Sequence, residues 1–326
     1  MAEKKRDSNV NTVNIRGFLK ENTLEQVVNT NGDRVIRGAL LIATDALNAH
    51  KVQFYIPETK FNGEHSADFD RLLELLPSNT VSLASFLKDS NSIDFDTAAN
   101  AATKVWAIGR FDEYATRSGE RTTSMVTVKG MRAGLATADK GPFTPKAEFT
   151  TTIYINKMSP EQDEAENNTG RICIEGIVPK FKGNVDMIDF VAVTENGVAD
   201  VVKANWHEGD TVKVEGDLIS LAIRKKIEED DGSTFGRTHA PQYETTFIRE
   251  RRIVGGSKNP IKGDGEITKD MVREGLAIRE EKMIENGLRA QKNSSRGFSA
   301  NAAPASPAAA NFPTGSGFPG GDDMDF

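Results

Sequence analysis

One pattern is written twice in this chain. Val13–Leu19 and Arg171–Val178 both alternate apolar and polar side chains, and both carry a glycine inside the run, Gly17 and Gly176. A glycine within a strand marks a bend or a close approach of backbone, because no side chain fills the space beside it. After each glycine come a turn and further short β-prone runs. A chain built of many short strands with bends in them has few ways to bury its apolar faces. Closing the strands into a barrel is one of them.

In the first half, Glu25–Thr30 and Arg34–Thr44 flank Asn31-Gly32-Asp33, and Asn-Gly between β-prone runs is a strong hairpin signal. His50–Pro57 reads as a third strand. Ala67–Leu76 has helical spacing and stops at Pro77. Thr103–Thr116 and Thr122–Ala133 read as a strand pair joined at Arg117–Glu120. In the second half, Arg171–Val178, Val185–Thr194, Glu208–Lys226 and Gln242–Val254 repeat the order, with turns at Lys182–Asn184 and Glu228–Gly232 and a short segment ending at Trp206-His207. About five strands per half with one short helix predict a mainly all-β protein of two tandem five-stranded OB-type barrels.

The expected boundaries follow. Residues 1–10 are a disordered N-terminus, and 11–135 a first barrel with an insertion at about 61–100. Residues 136–169 hold a bridging strand, Thr150–Lys157, and an acidic hinge, Ser159–Thr169. Residues 170–258 are a second barrel, and 266–292 a helix in which Gly275 and Gly287 are unfavourable. From 293 to 326 the composition is Ser, Gly, Ala, Pro and Asn with scattered Phe, too little apolar surface to offset the entropy of ordering.

Composition narrows the function. No apolar run reaches membrane-spanning length, and the charged N-terminus lacks the apolar stretch of a secretory signal. Cys173 is the only cysteine, so neither an intrachain disulfide nor a Cys-based metal site is expected, and the cytoplasm is the expected compartment. The net charge of −7 does not argue against nucleic acid, because binding depends on local patches. No phosphate-binding loop and no Gly-x-Ser-x-Gly elbow occurs, and His50, His65, His207 and His239 stand apart. Neither catalysis nor a cofactor is expected.

The second half resembles the OB-fold domain of single-stranded DNA-binding proteins. Ile174–Val178 is similar to that family's first strand and glycine bend. Glu208–Leu218 resembles its lysine-glycine, strand, glycine, leucine element, with Glu208 replacing the usual Lys. Arg224–Arg237 resembles its hairpin arm and Tyr243–Gly256 its final strand. The tip Asp322-Asp323-Met324-Asp325-Phe326 resembles the family's acidic tip, although Met-Asp stands where Ile-Pro is usual. The resemblance implies coating of single-stranded DNA in replication, recombination or repair, with the tip recruiting partner proteins. Two barrels in one chain look more like a bacteriophage or plasmid version.

The residues themselves support the same chemistry: a groove for a single strand needs cations for phosphates and flat rings for bases. In the second barrel Arg224, Lys225 and Lys226 flank the arm, and Tyr243, Phe247, Arg249 and Arg251 share one strand face. A core position for Tyr243 and Phe247 is the competing reading. Lys180, Phe181 and Lys182 set an aromatic between two cations in a loop. In the first barrel Trp106, Arg110 and Tyr114 alternate with Val105, Ala107, Gly109 and Phe111, and which set faces the core stays open. Lys51 and Tyr55 are in phase on a third strand. Trp206 is balanced between packing and stacking. At the tip, the Phe326 ring and carboxylate with the Asp side chains suit an apolar pocket rimmed by cations. A protein-binding scaffold and an RNA-binding version of the same design remain as alternatives.

Overall fold

A computed structural model describes residues 10–89, 94–118, 121–136, 143–163, 165–226 and 243–296. The first barrel uses β1 (Asn11–Asn22), β3 (Arg34–Ala43), β4 (Ala49–Pro57), β5 (Lys104–Ser118) and β6 (Arg121–Leu135), with β2 (Glu25–Val28) a short edge strand on β3. β1 pairs with both β3 and β5, β3 with β4, β5 with β6, and the ring closes through a parallel β4–β6 contact. That closed order is the OB order. Val13, Ile15, Gly17 and Leu19 point inward, as the alternation requires. Gly17 sits where β1 changes partner from β5 to β3, and a β-carbon there would lie 2.2 Å from the Ala43 carbonyl oxygen. Only glycine allows that approach. The Asn31-Gly32 turn joins β2 to β3 with Gly32 at φ 86°.

The second barrel repeats the order with β7 (Lys146–Gln162), β8 (Asn168–Pro179), β9 (Val185–Ala192), β10 (Thr211–Lys226) and β11 (Tyr243–Gly256). β7 pairs with β8 and β10, β8 with β9, β10 with β11, and β9 meets β11 in parallel. The strand expected to bridge the halves is therefore this barrel's first strand. The acidic stretch after it turns β7 into β8. Gly176 lies on the second strand, not the first, and its bare face lets Phe190 and Ile153 pack within 3.2 Å of a β-carbon position.

The barrels share a wall. β1 and β7 run antiparallel from Asn11↔Thr151 to Arg16↔Lys146, so all eleven strands form one sheet. The core is correspondingly continuous: Phe111 of β5, Phe149 of β7 and Phe190 of β9 contact one another at 5.4–6.1 Å between ring centroids. Each such buried ring contributes about 1.5–3 kcal/mol. Beyond the barrels, the β5–β6 and β10–β11 pairs continue as two-stranded arms.

Between β4 and β5 lie α1 (Ala67–Leu73), α2 (Leu83–Asp89) and α3 (Phe95–Ala101). Asp94 caps α3, accepting from the Thr97 N–H at 2.7 Å. α4 (Val198–Asn205) connects β9 to β10. The last helix, α5 (Lys269–Arg296), packs Val272 and Leu276 on Tyr154, Ile177 and Val185. Gly275 is the point of closest approach: a β-carbon would stand 2.4 Å from Val185 Cγ1 and 3.0 Å from the Gly183 carbonyl oxygen. None of the described helices is long and apolar enough to cross a membrane.

Candidate nucleic-acid interface

The arm of the second barrel lies across the mouth of the first. Asn48, in the turn before β4, forms a bridge with Leu221, and its Oδ1 accepts from the Ser220 N–H at 3.2 Å. This crossing leaves a cleft of about 370 Å³ between the barrels. One wall carries Lys20, Lys51 and Gln53 from the first barrel with Tyr114, Met125 and Thr127 from its arm. The other carries Ser220 and Ala222 from β10 with Phe247, Arg249 and Arg251 from β11. Among the described residues, four cations and three aromatic residues, Tyr114, Phe247 and the buried Phe111, thus line one space, with Glu250 the one carboxylate among them.

Strand register explains the second wall. Phe247 stands opposite Ala222, Arg249 opposite Ser220 and Arg251 opposite Leu218, so small neighbours leave Phe247 and Arg249 uncovered. Phe247 is 64% exposed, and the Arg249 guanidinium carbon lies 5.9 Å from its ring centroid. The competing core position for Phe247 is excluded by that exposure. Arg251 is held more firmly. Its Nη1 donates to the Asp189 carbonyl oxygen at 3.1 Å, and its guanidinium carbon lies 5.6 Å from the Phe111 ring centroid. Burial lowers its pKa, Asp189 opposes that, and Arg249 adds to it. His50 at the base of the cleft is 4% exposed, and burial holds it at about 4, with Asp45 opposing. It contributes no charge at neutral pH.

Register also decides the open face of β5. Val105, Ala107, Gly109 and Phe111 are buried, while Trp106, Arg110 and Tyr114 point outward and are half-covered. Only Tyr114 reaches the cleft. Arg110 stands opposite Lys129, and its Nε has no hydrogen-bond partner among the described residues. Burial lowers the Lys129 pKa; Arg110 and Lys180 push the same way and Asp112 opposes. Tyr55 lies farther along β4, opposite Arg37, outside the cleft lining.

Two expected contacts are placed elsewhere by the fold. Lys180 spans the barrels as a half-buried ion pair with Asp112 and, at 3.1 Å, with Asp186, so its ammonium is already occupied. Trp206 is 3% exposed and its indole N–H donates to the Ser257 carbonyl oxygen at 2.9 Å, which leaves no ring face for a base. Lys182 is exposed on a turn with φ 63°. The side chains of Phe181, Arg224, Lys225, Lys226 and Tyr243 lie outside the described residues, as does the tip Asp322–Phe326. On the backbone, Arg224–Lys226 pair with Tyr243–Thr245 and extend the arm beyond the cleft.

Sequence reasoning missed Lys20, Met125 and Asn48. Nothing local marks them, because they meet the second barrel only through the arm's crossing. Glu208, the departure from the family element, accepts from the Met158 N–H at 3.1 Å and so ties the loop before β10 to β7.

Two closed barrels of OB order, joined through adjacent first strands, define a tandem OB-barrel protein. The YorF family model matches residues 9–287, and the chain belongs to that family. A search of curated proteins finds no match. Among solved structures, two crystal structures of the single-stranded DNA-binding protein from Thermus aquaticus are similar. A deletion variant has TM-score 0.41 and 10% identity, over 78% of this chain and 96% of that one. The wild type has TM-score 0.41 and 11% identity, over 78% and 95%.

Proposed function

We propose that this protein binds single-stranded DNA, without catalysis, by drawing the strand through the cleft between its barrels. The observation that carries this reading is Phe247: a largely exposed ring beside Arg249, in a cleft also lined by Lys51, Lys20 and Tyr114. An unpaired base presents a π-face that a ring can cover, and each stack contributes about 1–3 kcal/mol. The surrounding cations meet phosphates, and the counterions they release make binding salt-dependent.

The natural settings for such a protein are replication, recombination and repair in the cytoplasm of a cell or of a phage-infected host. The tip Asp322–Phe326 would recruit partner proteins there, its Phe ring entering an apolar pocket and its acids pairing with surrounding cations.

The test is anisotropy of a dye-labelled oligothymidylate at low and high salt, with an oligouridylate in parallel. Parent protein should bind the DNA and weaken with salt, and Phe247→Ala with Arg249→Ala should weaken binding at unchanged melting temperature. No binding to either oligonucleotide overturns the proposal. Preference for the RNA would move it to single-stranded RNA.

A further inference from the structure

We infer that the outer face of the first barrel carries a second platform for single-stranded nucleic acid, centred on Trp106 and Arg16 and separate from the cleft. It rests on the single-strand reading above.

One register row crosses four strands on this face: Lys146 on β7, Arg16 on β1, Trp106 on β5 and Gly134 on β6. Residues directly opposite in antiparallel strands share a face, so these side chains stand side by side. Gly134 shapes the row. A β-carbon there would lie 3.0 Å from Trp106 Cζ2 and 3.2 Å from both Cε2 and Nε1, so the indole lies flat on bare backbone. Its opposite face is turned away from the sheet, and Trp106 is only half-buried.

A second ring flanks the row. The Arg16 guanidinium carbon lies 4.8 Å, and Lys104 Nζ 5.3 Å, from the centroid of Phe143. Phe18 holds that ring edge-on at 5.3 Å. Arg132 is exposed one row away, opposite Ile108. Among the described residues Lys146 is paired with a carboxylate, Glu148 at 2.5 Å, whereas Arg16, Lys104 and Arg132 are paired with none.

Cations with no carboxylate partner among the described residues, interleaved with ring faces, match a strand whose bases are free to stack. A duplex would offer phosphates but hide its base faces. The cleft is a different place: Tyr114 lines it and Trp106 does not. Along β5 the two residues are roughly 26 Å apart at the strand rise. A strand holding both sites is therefore longer than the cleft alone demands.

The test uses the full chain and an oligothymidylate of roughly 16 nucleotides, the upper end of an OB footprint. Dye anisotropy reports binding and tryptophan emission reports Trp106, since Trp206 is buried and hydrogen-bonded. The platform predicts quenching that follows the anisotropy. Arg16→Ala with Lys104→Ala should remove the quenching and weaken binding about tenfold at unchanged melting temperature. In Phe247→Ala with Arg249→Ala, weaker binding should still end in full quenching. Saturated anisotropy with unchanged emission overturns the platform and leaves the cleft reading intact. Parent-like affinity in the Arg16 and Lys104 variant does the same. Quenching by an acidic peptide but not by the oligonucleotide also overturns it, and an absence of all binding overturns both readings.

Discussion

Arg279 of α5 grips Glu113 of the first barrel's arm with two parallel bonds, Nε to Oε2 at 2.7 Å and Nη2 to Oε1 at 2.5 Å. The same carboxylate accepts from the Met187 N–H of β9 at 3.0 Å and from the Ser124 hydroxyl. One side chain, 2% exposed, therefore ties together an arm of the first barrel, a strand of the second and the last helix.

Arg279→Ala should strand that buried carboxylate. Losing one partner of a buried pair costs about 3–5 kcal/mol, because the remaining charge is left without compensation. Glu113→Gln together with Arg279→Met should recover much of the loss. Guanidinium unfolding curves of the three forms test this, and a single-variant loss below about 1 kcal/mol would show the joint to be solvated.

Gly275→Ala sets two effects against each other. Alanine is better by about 1 kcal/mol in a helix interior. Its β-carbon would meet Val185 Cγ1 and the Gly183 carbonyl, and overpacking costs about 1–3 kcal/mol. We expect a net loss, read as earlier proteolysis after α5 residues. A stabilised variant would mean that the helix sits farther from the barrel.

Asp186 and His50 should tilt stability in opposite directions with pH. Burial raises the Asp186 carboxyl to about 7; Lys180 opposes, and Asp112 and Glu113 add to the rise. Lys180 is itself raised: burial opposes, but Asp186 and Asp112 outweigh it. One ammonium serving two carboxylates leaves Asp186 the poorer partner, and we hold to its upward direction. A raised carboxyl contributes stability that is full below the unfolded value of 3.8 and is lost as pH climbs toward 7. His50 is lowered from 6.5 to about 4, so its contribution is full above 6.5 and lost as pH falls toward 4. Asp186→Asn should flatten the loss on the neutral side, and His50→Gln the loss on the acid side. Melting temperatures across pH 4–7 decide, and a variant profile parallel to the parent's removes that group from the account.

Trp206→Phe should cost stability but not binding. The change removes one hydrogen bond, about 1 kcal/mol, and leaves the Ser257 carbonyl unpaired. Oligonucleotide affinity should match the parent at a lower unfolding midpoint. A drop in affinity without a drop in midpoint would return Trp206 to the interface.

Most strands were legible because their signals are local. The Asn31-Gly32 turn, the β-run at His50–Pro57 and the pair Thr103–Ala133 fall within a few residues of β2–β3, β4 and β5–β6. Thr150–Lys157 misled for a physical reason. β7 is flanked by β1, β8 and β10, so Thr151–Ile155 are buried on both faces and the alternation that marks a half-exposed strand is absent. Lys180 and Trp206 misled differently, since a cation or ring near a loop looks the same whether its partner is solvent or another barrel.

The residues that could contact a single strand were likewise legible as types but not as a set. Phe247 and Arg249 share a strand face in the sequence itself, by period-two alternation. Lys51 and Tyr114 join them only because Asn48 seats the second arm on the first barrel, and Trp106 is set apart from them by the length of β5. Sequence alone determined the short β-runs, the bend at Gly17 and the final helix, because period, turn chemistry and glycine are properties of neighbouring residues. Tertiary structure decided which faces are covered, which cations are already paired and where the cleft opens. Those depend on contacts between residues far apart in the chain, which carry no local signal.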